Sequence, residues 1–218
     1  MPSLQRHRCF HHRLPIVALA LLAATSPLAA QRATEATDAH LREECRLATQ
    51  ALTTGRPHPR YSWALDQIRV CDQSAGPALA SRWRALREAD RTELGHLSFT
   101  SRSVRDQRIF DAALAVAGAR GTAPLIRLAA LGVLASHVDP TVYVSLEKLE
   151  HPKANQLLPA VLDFAPRDGA VPLAESDKAT FLTFLRGLVE HEPDPQVATA
   201  ARYLLRGFMA GEPSGSAH

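Results

Sequence analysis

One stretch of this chain occurs twice, and that constrains the fold more than any other feature. Residues 106–136 align with residues 177–207 without a gap, at an offset of 71. Asp106 meets Asp177, Phe110 meets Phe181, Leu114 meets Leu185 and Pro124 meets Pro195. Ala129 and Ala130 meet Ala200 and Ala201, Leu134 meets Leu205, and Ile126 meets Val197. These matches fall where a helical unit must repeat itself. In "DPQVATAARYLLRGFMAG" the apolar residues Val197, Ala200, Ala201, Leu204, Leu205 and Phe208 follow the i, i+3, i+4, i+7 spacing of one helix face. Before them, Phe181, Phe184, Leu185, Leu188 and Val189 form a second such series, which Ser176 is placed to cap and Pro193 and Pro195 end. Each copy therefore reads as helix, turn, helix. A lone unit of this kind cannot bury its apolar faces, so the copies are expected to stack.

The second helix of each copy carries a further pattern. "DPQVATAARYLL" (Asp194 to Leu205) and "APLIRLAALGVL" (Ala123 to Leu134) both follow V-x-x-A-A-x-x-x-L, with Ile126 in the first position of the earlier copy. The pattern resembles a HEAT-type helical repeat. That resemblance implies an all-α fold: a short α-solenoid of antiparallel helix pairs in a right-handed stack. It places a helical-repeat domain at 31–210. Within it, 31–75 is an N-terminal hairpin, 76–105 an irregular helical segment, 106–138 a repeat, 139–172 an irregular repeat and 173–210 the C-terminal repeat. The offset of 71 leaves room for an intermediate unit, and Pro159 predicts a kink in it. Residues 211–218 form a flexible tail. In HEAT-type arrays the second helices usually line the concave side, which implies Arg127, Arg202 and Arg206 as candidate partner contacts.

The N-terminus reads as a processing segment. Arg6, Arg8 and Arg13 precede the short apolar run "LPIVALALLAA" and the small-residue end "TSPLAA", the pattern of a secretory signal peptide over residues 1–30. The run is too short to span a membrane, and Cys9 lies on the wrong side of it for a lipid anchor. Cleavage after Ala30 would remove three arginines and leave 22 basic and 22 acidic residues. The basic balance then belongs to the precursor and gives no support for nucleic-acid binding. Export, periplasmic or extracellular, also bears on Cys45 and Cys71, the two cysteines left after cleavage, because an even count in an oxidising compartment points to pairing. Helices are expected from about Thr37, with Asp38 near the N-cap and Gly55 at the end, and from about Arg60 to Asp72. In such a hairpin the two cysteines lie about 14 and about 18 Å from the turn, at roughly 1.5 Å per residue. Their bridge would contribute roughly 3.5 kcal/mol in the chain-entropy model, less any strain. A redox or metal motif of the C-x-x-C type needs far closer spacing.

The segment "PLIRLAALGVLA" raises a separate question, since Arg127 is its one charge. Its first stripe is the one shared with the last repeat. A second stripe, Leu125, Leu128 and Leu131, meets Gln196, Thr199 and Arg202 in the later copy. Internal repeats are covered on two sides and terminal ones keep a polar outer face, so position in a stack explains the greasiness without a ligand. Charge is also uneven. Seven arginines lie between Arg82 and Arg108 and ten acids between Asp139 and Asp194, a polarity able to steer a partner but also common on solvated helix faces.

Motifs for chemistry are sparse. The histidines form no H-E-x-x-H or zinc spacing, and His137, matching Phe208, reads as a core residue. The His191–Glu192 pair occurs once, whereas HEAT-type metal hydroxylases repeat it. No G-x-S-x-G, P-loop or G-x-G-x-x-G is present. Glu43 and Glu44 read as a solvated helix face rather than an acid/base pair. The reading that follows is an exported, non-enzymatic interaction protein without cofactor or metal, whose partner is another protein. No nucleic acid is expected, nor a membrane span after signal cleavage. The alternatives are a carrier of an apolar ligand in a helical groove, which needs a pocket of about 300 Å³ or more, and a helical enzyme of unrecognised type.

Overall fold

The computed structural model describes residues 27–89, 91–139, 142, 144–153 and 175–210, with side chains undescribed for 27–36, 69, 70, 72 and 73. The sequence-based expectations of a signal peptide, the Pro159 kink and a flexible tail fall wholly or largely outside these residues. All regular secondary structure among the described residues is helical. The helices are α1 (Pro27–Thr54), α2 (Tyr61–Gln67), α3 (Gly76–Ala85), α4 (Arg91–Ser103), α5 (Gln107–Gly118), α6 (Pro124–Val138), α7 (Leu146–Glu150), α8 (Glu175–His191) and α9 (Pro195–Ala210). None is long and apolar enough to cross a membrane. The chain divides into two compact units, 1–40 and 41–218. The described part of the first is the opening of α1, where residues 37–40 are exposed. This helix begins well before the expected Thr37, so Asp38 lies inside it and is not an N-cap.

In the second unit, Ala48, Ala51 and Leu52 are fully buried on α1. The helix stops at Gly55, whose φ of +80° closes the C-terminus while its N–H donates to the Ala51 carbonyl at 3.0 Å. Only glycine takes that conformation without strain. The helix expected over Arg60 to Asp72 is interrupted. α2 gives way at Ile68 to a tighter 3₁₀ segment that runs to Ala75 and leads directly into α3. Pro77 has no N–H for the carbonyl four residues back, which weakens α-helical bonding through this stretch. The 3₁₀ segment still delivers Cys71 to Cys45 at disulfide distance, with Cα atoms 5.3 Å apart.

Beyond this hairpin, α3 lies along α5 and α4 along α6. α5 and α6 form one antiparallel pair, and α8 and α9 form another. Aspartates start two of these helices. Asp106 accepts from the Arg108 N–H at 2.8 Å, and Asp194 from the Gln196 and Val197 N–H groups at 3.0 Å each. α8 begins at Glu175, one residue ahead of Ser176, which therefore lies within its first turn.

The two aligned copies touch each other directly. Gln107 donates to Asp177 at 3.4 Å near the starts of α5 and α8. Arg120 donates to the His191 carbonyl at 3.2 Å near their ends. The two helices thus run parallel with equivalent positions side by side, and α6 packs on α9. Most of the irregular repeat expected over 139–172 lies outside the described residues. What is described of that segment contains one short helix, α7, which packs against both α6 and α9.

Candidate functional site

Arg127 has the most unexpected surroundings in the molecule. It belongs to α6, where Ile126 to His137 are all buried, and its side chain is 2% exposed. Its Nε donates to the Ala117 carbonyl in the last turn of α5 at 2.8 Å. Nη1 and Nη2 form a fork on Glu192, at 2.8 and 2.5 Å. Glu192, whose side chain is also 2% exposed, lies in the turn between α8 and α9 and accepts a further bond from the Asp194 N–H at 3.1 Å. The hydrogen bonds from Arg127 hold its carboxyl below the usual range against the opposing effect of burial. One guanidinium therefore satisfies a helix-end carbonyl of its own repeat and a carboxylate of the next. Arg127 is withdrawn from the expected partner surface, because a buried group with all three nitrogens engaged cannot meet an incoming protein.

A second ionic cluster joins the N-terminal elements. Glu93, 4% exposed on α4, accepts from the Tyr61 hydroxyl at 2.5 Å, from Arg56 Nε at 2.5 Å, and from Arg82. Arg82 also donates to the Tyr61 oxygen at 2.8 Å and stacks over that ring, 5.1 Å from its centroid. Burial pushes the Glu93 pKa upward, but hydrogen bonds from Arg82 and Tyr61 outweigh it and leave the carboxyl below its ordinary value. Burial and the Glu93 hydrogen bond push the tyrosine hydroxyl well above its own. A carboxylate with this many donors is held ionised and has little basicity to offer a substrate.

His137 closes the α4–α6 interface. It is fully buried, and its Nε2 lies 2.8 Å from the Ser101 carbonyl. That contact assigns the proton to Nε2 and leaves Nδ1 without a hydrogen-bond partner among the described residues. Desolvation pushes its pKa down to about 4, with Arg105 and Arg102 adding to the depression and the Ser101 bond and Asp106 opposing it. The side chain is neutral core, as its match to Phe208 implies.

Five of the six remaining arginines of the basic stretch are also engaged. Arg91 forks onto Glu150 at 2.6 and 2.7 Å, and Arg108 onto Asp106 at 2.9 and 2.7 Å. Arg102 donates to the Val144 carbonyl at 2.7 Å, Arg105 to the Ser136 carbonyl at 3.4 Å, and Arg87 to the Arg84 and Leu86 carbonyls at 2.9 Å each. Two of these carbonyls, of Ser136 and Arg84, belong to the last turns of helices, which lack intrahelical partners and carry the negative end of the helix dipole. The stretch fastens helices to one another, and its charge is correspondingly less available for steering.

Two further places face solvent. A cleft of about 200 Å³ opens at the seam between α5 and α8, lined by Gly118, Arg120, Phe184, Gly187, Leu188, His191 and Glu192. On α9, Thr199, Arg202, Arg206 and Met209 are exposed along one face. The candidate contacts Arg202 and Arg206 thus lie one turn apart, and the structure does not bring Arg127 to them. Leu128 and Leu131 are fully buried and Leu125 is half-buried, so this second stripe of α6 is packed interior. Among the described residues no cluster of three or more His, Cys, Asp or Glu is placed to hold a metal ion. Sequence reading missed Glu192 and Glu93 as ionic partners. A lone arginine within an apolar run was the available signal for the first, and the second had none.

No protein-family model matches the chain, and comparison with curated proteins and with solved structures finds no match.

Proposed function

We propose that this chain is an exported, non-enzymatic interaction protein. In this reading it is a short HEAT-like α-solenoid that presents the outer face of α9 to another protein. The observation that carries the reading is a contrast between equivalent positions. Leu128, Leu131 and Ala135 of α6 are fully buried, whereas their counterparts Thr199, Arg202 and Arg206 of α9 are exposed. Met209, 49% exposed, extends the same face with an apolar, adaptable side chain. A surface that combines arginines with an exposed methionine has the composition found in protein contacts. The hydrogen bonds that join α5 to α8 near both ends and the contact of α6 with α9 support the stacked arrangement. The disulfide-distance pair Cys45 and Cys71 is compatible with export. The engagement of Glu93 with Tyr61, and of Arg127 with Glu192, supports a structural use of the buried ionisable groups.

A photoreactive residue placed at Thr199 in the cells that make the protein tests this reading. It should yield a discrete cross-linked species that disappears with Arg202→Glu and Arg206→Glu, and the same probe at exposed Ser62 on α2 should not. No adduct at 199, or one indifferent to charge reversal, overturns the proposal.

A further inference from the structure

We propose that the cleft at the α5–α8 seam is a binding site for a small apolar carboxylate, an alkyl or aryl group of about side-chain size bearing one free carboxylate. The site lies on the first helices of the two repeats, so the proposal stands independently of the α9 surface.

Its shape follows from two missing side chains. Gly118 ends α5 with its backbone against the Phe184 ring, where an added Cβ would lie 3.3 Å from Cε2. Gly187, on α8, has nothing within 4 Å of where a Cβ would be. Between them Phe184 and Leu188, one turn apart, supply the apolar lining. The volume of about 200 Å³ falls below the range of roughly 300–1,000 Å³ that takes drug-sized ligands, and suits a single branched or aromatic group.

The polar lining selects charge. Arg120 is exposed and spends one nitrogen, Nη2, on the His191 carbonyl, leaving Nε and Nη1 for a ligand. His191 is exposed beside it, with Nδ1 and Nε2 able to donate or accept and Nε2 only 3.5 Å from Glu190. Glu192 also lines the cleft, but Arg127 takes both of its oxygens and neutralises its charge. The exposed cation at the cleft is thus the Arg120 guanidinium, whose charge also acts on Glu192 and whose fork suits a carboxylate. An apolar lining with a cation beside it fits an amphiphilic anion better than a neutral hydrocarbon or a cation. A free small acid and the carboxyl terminus of a peptide share this chemistry.

The test uses the full chain and amide chemical shifts, with N-acetyl-leucine, N-acetyl-leucinamide and the tripeptide Gly-Gly-Leu as probes. N-acetyl-leucine should shift the Gly118, Gly187 and His191 amides saturably at millimolar concentration. The amide derivative should bind at least about tenfold more weakly, the loss expected for one charge-assisted contact. Arg120→Gln should weaken the acid by a similar factor. Gly187→Leu, built into open space, should fill the cleft and abolish the shifts while the helical spectrum is unchanged. Stronger binding of the tripeptide identifies a chain terminus as the ligand form, and stronger binding of N-acetyl-leucine identifies a free acid. Equal binding of acid and amide overturns the proposal. So do unchanged affinity in Arg120→Gln, shifts confined to other residues, or no saturable shift.

Discussion

α6 and α9 are the same helix placed in two environments. Both start with proline and both bury an aligned stripe, Ile126, Ala129 and Ala130 in one and Val197, Ala200 and Ala201 in the other. The paired alanines let a neighbouring helix come close in each case. The difference lies on the opposite side. α6 is packed against α4, α5, α7, α8 and α9, and it buries every residue from Ile126 to His137. α9 leaves Gln196, Thr199, Arg202 and Arg206 in solvent. What the two aligned copies share is thus the stripe that joins the helices of one pair, while the outer stripe differs with its surroundings. The exception is Arg127, a charged residue in the covered helix at the position that Ala198 fills in the exposed one.

That exception gives the largest expected effect. Arg127→Ala strips the Glu192 carboxylate and the Ala117 carbonyl of their partner while both stay buried. A loss of about 3–5 kcal/mol in chemical denaturation is expected, as for other broken buried pairs. Replacing both members, Arg127→Met with Glu192→Gln, should recover part of that loss, because no uncompensated charge remains. A single variant costing less than about 1 kcal/mol would mean that water reaches the pair and that the seam between the repeats is wet. Next in size is Leu131→Ala, at about 3 kcal/mol for a fully buried leucine.

Stripe periodicity made the helical class, the two aligned pairs, the turn prolines and the burial of Leu128 and Leu131 legible in advance. It reports which residues share a face, and faces are what helix pairs bury. It was silent on partners that depend on three-dimensional register. Arg127 and Glu192 are 65 positions apart, and Arg82 and Glu93 sit on different helices. Of the candidate contacts, Arg202 and Arg206 lie on a polar stripe, which identified them as outward-facing. Arg127 sits among alanines and leucines, and only the fold shows that its charge is answered from the next unit.

His137 sharpens the comparison through pH, because its equivalent Phe208 does not titrate. The folded pKa, depressed to about 4, lies below the ordinary value of 6.5. The unfolded chain therefore binds the proton first as pH falls. The neutral histidine adds no penalty above pH 6.5, and stability then declines toward the folded pKa at about 1.4 kcal/mol per unit, a total of roughly 3 kcal/mol. Arg102, Arg105 and Asp106 act on the ring, and the arginines add to the cost of charging it. The depressed carboxylates Asp106, Glu93 and Glu192 contribute in the same sense, destabilising as pH falls, but only below about pH 4.5, where they begin to protonate in the unfolded chain. His137→Phe should flatten the curve between pH 6.5 and 4.5 and leave the steeper acid limb in place. An unchanged slope in that window would mean that the imidazole charges in the folded state and finds a partner for Nδ1.

The smallest expected effect decides the most about α9. Arg202→Ala and Arg206→Ala remove the counterparts of Leu131 and Ala135, yet each should change stability by no more than about 0.5 kcal/mol, the range of exposed substitutions. The pair of measurements, Leu131→Ala against Arg202→Ala, compares equivalent positions on one helix pattern, so propensity and local geometry largely cancel and the difference reports covering alone. If the arginine variants cost as much as the leucine, the outer face of α9 is already occupied within the isolated chain and is not a surface held open for a partner. If they are neutral in the isolated chain but remove the cross-link at Thr199, the two arginines are retained for contact, and stability and binding are assigned to opposite sides of the same helix.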